Sequence, residues 1–183
     1  MAKANLIFLK EGVVELKFAY ADPPYLGQAK RHYGCSEVNH ATLIGRLVHE
    51  FPDGWALSCS SSSLGHILPL CPSDIRIAAW VKTFCAFKVN VNPAYAWEPV
   101  VFRGGRKRGR DKATVRDWHS CQIAIKRGLV GAKPESFCYW IFELLGMQKG
   151  DELVDLFPGT GAVTVAWRKF NSQLNLEATD ALL

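Results

Sequence analysis

The sequence predicts an α/β domain with a largely parallel sheet, and three observations predict it. Strand-like and helix-like segments alternate along most of the chain. The β-favouring run Val13-Val14-Glu15-Leu16-Lys17-Phe18-Ala19-Tyr20 stops at Asp22-Pro23-Pro24-Tyr25. A second strand-like run, 152–157, opens into Pro158-Gly159-Thr160-Gly161 and a helical pattern from about Ala162. Both are strand ends that feed turns, and in open α/β sheets that edge is where ligands bind.

Taken in order, the first strand must end at Asp22, because two prolines fix φ and donate no ladder hydrogen bond. Gln28 to Tyr33 is polar and basic and reads as a loop over that turn. Ser36 is placed to cap a helix whose apolar residues Val38, Leu43, Ile44, Leu47, Val48 and Phe51 recur at helical spacing. Pro52-Asp53-Gly54 turns the chain into a short buried strand, Trp55 to Cys59. The serines at 60–63 then cap a short helix to about Leu70. After Pro72-Ser73-Asp74, Ile75 to Val81 is the next strand, and Lys82 to Asn92 is irregular.

Tyr95 to Phe102 is a further strand, with Pro99 pointing to an edge or a bulge. Residues 117–131 fit no single pattern. Lys133-Pro134 opens a helix with Phe137, Trp140, Ile141, Leu144 and Leu145 on its buried face, and Gly146 ends it. The last strand expected is the short one at Gln173-Leu174-Asn175-Leu176.

The chain has 183 residues, 49% hydrophobic and 21% charged, a globular balance that suits one domain. No apolar run approaches the roughly 18 residues of a membrane span, and Leu6-Ile7-Phe8-Leu9 is too short for a signal peptide. The cysteines at 35, 59, 71, 85, 121 and 138 form no Cys-x-x-Cys pair. They read as thiols of a reducing cytoplasm, and His32-x-x-Cys35 lacks the second pair that a metal site needs. Net charge is +5, of which Arg103, Arg106, Lys107, Arg108, Arg110, Lys112 and Arg116, against Asp111, supply +6. This one segment is either a solvated loop or a phosphate-binding surface.

The chemistry open to Asp22-Pro23-Pro24-Tyr25 is specific. A fixed carboxylate and a proline-held carbonyl can each accept one N–H of a nucleobase amine, drawing its nitrogen toward tetrahedral geometry and freeing the lone pair. An aromatic ring beside them can stack on the base, worth about 1–3 kcal/mol. As a lone tetrapeptide the stretch reads equally well as a surface turn. The glycines of the second turn let a ligand pass close to backbone. They form Gly-x-Gly without the third glycine of a dinucleotide fingerprint, which fits the methionyl part of S-adenosylmethionine better. Glu177 stands eighteen residues past Gly159, where an acid at a strand end accepts ribose hydroxyls.

With Asp22-Pro23-Pro24-Tyr25 first, the basic segment in the middle, then Lys133-Pro134 and Phe157-Pro158-Gly159-Thr160-Gly161, the chain resembles DNA N6-adenine methyltransferases of the permuted beta class. Trp80-Val81-Lys82 and Trp97-Glu98-Pro99-Val100-Val101 are also similar to the adenine-methylase lineage that includes messenger-RNA methylases. The resemblance implies a Rossmann-like fold with a seven-strand mixed, mostly parallel sheet and helices on both faces, in one domain spanning 1–183. Its catalytic half would be 13–102, its basic recognition insert 103–117 and its cofactor half 131–183. It implies that Asp22, Pro23, Pro24 and Tyr25 hold a base flipped from duplex DNA. It further implies that Ala21, Asp22, Lys133, Asp155, Phe157, Pro158, Gly159, Thr160, Gly161 and Glu177 hold S-adenosylmethionine. The recognition insert is short, and the compactness suits a phage or mobile element and DNA modification of the restriction type. RNA adenine or cytosine N4 as acceptor, a catalytically silent nucleic-acid-binding subunit, and a homodimer remain open alternatives.

Overall fold

The computed structural model describes residues 14–27, 29, 36–83, 89–123 and 132–180, with 174–180 in backbone only. Apart from Ala29, the loop expected over 28–33 lies outside these residues, as do Cys35 and Cys85. Six strands form one sheet: β1 (Lys17–Ala21), β2 (Gly54–Ser58), β3 (Arg76–Lys82), β4 (Trp97–Gly104), β5 (Trp118–Cys121) and β6 (Glu152–Asp155). Their order is β5-β3-β4-β2-β1-β6. β4 runs antiparallel to both β2 and β3, and the other three pairings are parallel.

The helices are α1 (His40–Glu50), α2 (Leu64–Ile67), α3 (Glu135–Leu144) and α4 (Ala162–Asp180). They divide between the two faces of the sheet according to the alternation of strand side chains. Phe18 and Tyr20 of β1, with Trp80 and Val100, pack against Phe137 and Trp140 of α3 and Trp167 and Phe170 of α4. Ala19 and Ala21, with Trp55, Leu57 and Val101, pack against Leu43, Ile44 and Leu47 of α1 and Ile67 of α2. Burying one such large apolar side chain is worth about 1.5–3 kcal/mol, so this alternation fixes the register of β1 against both layers.

Four local expectations need correction. The helix starts at His40, and its cap is Asn39, whose side chain accepts from Thr42 N at 3.0 Å, not Ser36. Pro99 lies in β4, which has neighbours on both sides and is no edge. The ladder between β2 and β4 ends at Ser58 opposite Val100, so the missing proline N–H falls where that pairing stops. Only its carbonyl is used there, accepting from Cys59 N at 3.1 Å. Gln173 to Leu176 is no strand: it continues α4, whose buried Val163, Ala166, Trp167 and Phe170 keep helical spacing. The seventh strand implied by the resemblance is therefore not among the described residues.

β1 leads into α1 on one face, and the neighbouring parallel strand β6 leads into α4 on the other. The topological switch point thus falls between β1 and β6, where the crevice of such a sheet opens.

Candidate active site

The two turns picked out in the sequence come together at this crevice. Tyr20 stands opposite Asp155 in the β1–β6 register, and Leu156 N donates to Tyr20 O at 2.9 Å. Both strands run the same way, so Asp22-Pro23-Pro24-Tyr25 and Phe157 to Gly161 leave the sheet side by side. Beneath them, the Tyr20 hydroxyl and Ser58 Oγ share a buried hydrogen bond of 2.7 Å that ties β1 to β2.

Asp22 does not stand alone. Lys133 Nζ lies 3.0 Å from Asp22 Oδ1 and 3.3 Å from Glu98 Oε2, with its side chain only 7% exposed. Glu98 also pairs with Lys82, and its carboxylate acts on the nearby Tyr25 hydroxyl. The ammonium of Lys133 sits over the rings of Trp80, 5.3 Å from its centroid, and Phe137, at 5.7 Å. Lys133 is among the residues assigned to the cofactor by resemblance; its ammonium rests on the carboxylates that face the base turn.

Electrostatics follow from this burial. Removal from water pushes the Asp22 carboxyl above the usual range, and Lys133 pulls against that shift. Burial also pushes Glu98 up, but Lys133, Lys82 and Tyr25 outweigh it and hold its carboxyl below the usual value. Burial works against the Lys133 charge, yet Asp22 and Glu98 more than compensate and keep it protonated. Burial and then Glu98 raise the Tyr25 hydroxyl far above its ordinary value, so it remains a donor.

In the second turn, Asp155 Oδ1 accepts from Phe157 N at 3.3 Å, and Gly161 N donates to Pro158 O at 2.6 Å. Gly159 and Gly161 have φ of 46° and 73°, the left-handed region that favours glycine. A Cβ at Gly159 would meet nothing nearer than Phe157 O at 3.9 Å, and one at Gly161 nothing within 4 Å. Space beside the backbone is therefore open on the ligand side, and this fits a cofactor lying across Asp155 to Gly161. Pro158, Gly159 and Thr160 are exposed along it. Ala21 is fully buried, backbone and side chain alike, beneath the turn. Glu177 falls inside α4 rather than at a strand end, and its side chain lies outside the described residues.

The basic segment is somewhere else. β4 ends at Gly104 opposite Gly54, where β2 begins, so the chain leaves the sheet at the edge remote from Asp22, about 15 Å of strand away. Three of its cations are held by acids distant in sequence. Arg103 Nε lies 2.7 Å from Asp74, Arg106 lies 2.6 Å from the fully buried Asp151, and Arg108 pairs with Glu143. Arg116 lies over the Trp118 ring. Lys107, Arg110 and Lys112 are exposed and in no ion pair among the described residues.

Glu98 and Lys82 are site residues that the sequence reading did not place. The available signal was a charge inside an otherwise apolar strand, in Trp97-Glu98-Pro99-Val100-Val101 and in Ala79-Trp80-Val81-Lys82.

No protein-family model matches the chain, and no curated protein matches it. Among solved structures, the crystal structure of the M1.HpyAVI–SAM complex is similar with a TM-score of 0.58 at 15% identity. That match covers 86% of this chain and 79% of the other. The crystal structure of M1.HpyAVI is similar with a TM-score of 0.56 at 12% identity, covering 86% and 77%. At these identities the likeness shows the fold alone, a Rossmann-like mixed sheet with helices on both faces.

Proposed function

We propose that the chain transfers a methyl group from S-adenosylmethionine to the N6 amino group of adenine in DNA. The target base is turned out of the duplex into a pocket headed by Asp22-Pro23-Pro24-Tyr25. One observation carries this reading: the Asp22 turn and the Gly159-x-Gly161 turn end adjacent parallel strands at the switch point of the sheet. The M1.HpyAVI–SAM complex, with the same fold, supports the choice of cofactor. Asp at position 22, where the resembling families place Ser for cytosine N4 and Asn for glutamine, supports adenine.

Bound at Asp155 to Gly161, S-adenosylmethionine would supply a methyl group that leaves without the C–S bonding pair, the pair remaining on the sulfur as a neutral thioether. The protein's part is to make the amine a nucleophile. The Asp22 carboxylate and the Pro23 carbonyl accept the two amine hydrogens and free the nitrogen lone pair. Lys133 keeps Asp22 oriented, and Tyr25, on the same turn, offers its ring to the base. On gaining the methyl group the nitrogen becomes cationic and returns to neutrality by losing one proton. Asp22, whose basicity burial has raised, is placed to take it. Backbone contact to the nucleic acid falls to Lys107, Arg110, Lys112 and Arg116, while Arg103, Arg106 and Arg108 serve the fold.

The test is transfer of tritium from labelled cofactor to duplex DNA, single-stranded DNA and RNA, with the modified base identified after digestion. N6-methyladenine in DNA is expected. An intact, cofactor-binding protein that transfers nothing, or that labels only RNA or cytosine, overturns the reading.

A further inference from the structure

A second cleft, of about 330 Å³, opens at the same edge of the sheet as Asp22. It is lined by Ser61, Asn90, Asn92, Tyr95 and Trp97, among others, and none of the described lining residues is charged. Ser61 follows the end of β2 and Trp97 begins β4, so the cleft sits at the strand ends that carry the candidate active site. Tyr95 is 55% exposed and Trp97 39%. Two large aromatic side chains left in water beside two amides and a hydroxyl are not a packing requirement.

Trp97 and Glu98 are consecutive in β4, so their side chains point to opposite faces while their Cα atoms are about 3.8 Å apart. Glu98 faces Trp80 and Lys133 on the α3 side. Trp97 faces the other way, at the same end of the sheet as the Asp22 turn. A single strand crossing this edge would present one base to Asp22 and a neighbouring base to Trp97.

We propose that this cleft is a subsite for an unstacked nucleobase flanking the target, and this rests on the reading of the chain as a nucleic-acid methyltransferase. The chemistry selects that occupant. A phosphate calls for cations, and a charged peptide calls for a countercharge; the described lining of the cleft offers neither. A flat, neutral ring with donors and acceptors on its rim is matched by aromatic faces and by asparagine amides, each of which donates and accepts. The subsite would make the residue beside the methylated base contribute to affinity and to choice of sequence, which a short recognition insert otherwise leaves with few contacts.

The experiment is a binding cycle without methyl transfer. Oligonucleotides carrying one unpaired adenine, with the adjacent nucleotide either intact or abasic, are titrated against wild type, Trp97→Ala and Trp97→Phe. With the wild type, the abasic change should weaken binding about 5- to 150-fold, the range for one stacked base. In Trp97→Ala, intact DNA should be weakened to a similar extent and the abasic change should have almost no further effect. Trp97→Phe should recover much of the loss. Since Trp97 is exposed at the strand end, its truncation leaves the core intact, and unchanged melting temperatures check this. Independent effects of the two changes, or no effect of the abasic site on the wild type, overturn the subsite while leaving methylation of wild-type DNA in place. Failure of the wild type both to bind DNA and to methylate it removes the methyltransferase reading and the subsite with it.

Discussion

Lys133 places its ammonium between Asp22 and Glu98, 3.0 Å from one carboxylate and 3.3 Å from the other, with all three side chains largely withdrawn from water. Two carboxylates from different parts of the chain thus share a buried cation. Removing it by Lys133→Met should cost about 3–5 kcal/mol, the usual penalty for leaving a buried charge without its partner. Denaturant midpoints measure this. Adding Asp22→Asn to that variant should restore part of the loss, since the uncompensated charge disappears while Glu98 keeps its pairing with Lys82. A Lys133→Met protein as stable as the wild type would mean that the cation does not hold the two acids.

Asp22 must be ionised to accept the amine, and burial raises its pKa above the ordinary 3.8. Activity should therefore fall as pH drops through that raised value, at a higher pH than for an exposed aspartate. Lys133 lowers the Asp22 pKa, so whatever Lys133→Met protein folds should lose activity at a still higher pH. The acid limb of kcat/KM in the two proteins is the measurement, and an unchanged limb contradicts the pairing. Asp22→Ala should lower kcat by at least about 100-fold, the effect of deleting one group that acts in the transition state. Calorimetry should show cofactor affinity nearly intact in the same variant.

Gly159→Val should act mainly on the cofactor. Its Cβ meets no protein atom closer than Phe157 O at 3.9 Å, so the turn has room for the side chain until a ligand fills the space. The φ of 46° adds about 1–2 kcal/mol of strain for a residue with a Cβ. Calorimetry should show S-adenosylmethionine binding lost, with melting only slightly lowered. Retained affinity would place the cofactor elsewhere.

The basic segment should divide into two sets. Replacing Lys107, Arg110 and Lys112 by glutamine should leave melting unchanged and flatten the salt dependence of DNA binding. At roughly 0.9 in the slope per phosphate neutralised, the change is up to about three units. Arg106→Gln should do the opposite, because it strands Asp151, whose side chain has no exposure and also accepts from the backbone of Leu16 and Gln148. A loss of about 3–5 kcal/mol is expected there. Equal behaviour of the two sets would refute the division.

What the sequence could disclose depended on whether the information was local. A strand cannot pass through Pro23-Pro24, and a helix follows Gly159-x-Gly161, so both turns and the sheet edge that bears them were legible. The helix faces of α1 and α3 were legible for the same reason, since their apolar spacing lies within one segment. Leu174 and Leu176 alternate like a strand, and nothing in four residues tells that they extend the helix begun at Ala162. The prolyl residue of β4 is tolerated because of where a neighbouring strand stops, which no local pattern records. Likewise the run of arginines looked free because Asp74, Glu143 and Asp151 come from other elements. Glu98 was hidden by its isolation: one acid in an apolar strand acquires meaning only from Lys133 and Lys82.

The pairing of β1 with β6 also orders events in time. During synthesis the Asp22 turn leaves the ribosome long before the last strand exists, and until then β1 has one bare edge bearing the apolar residues Phe18 to Ala21. Such an edge is a template for mispairing, and its partner must arrive across a large loop, which slows closure. A nascent chain that has not yet produced Glu152 to Asp155 therefore has the acid that would receive the base but neither the strand that shields β1 nor the turn that would hold the methyl donor.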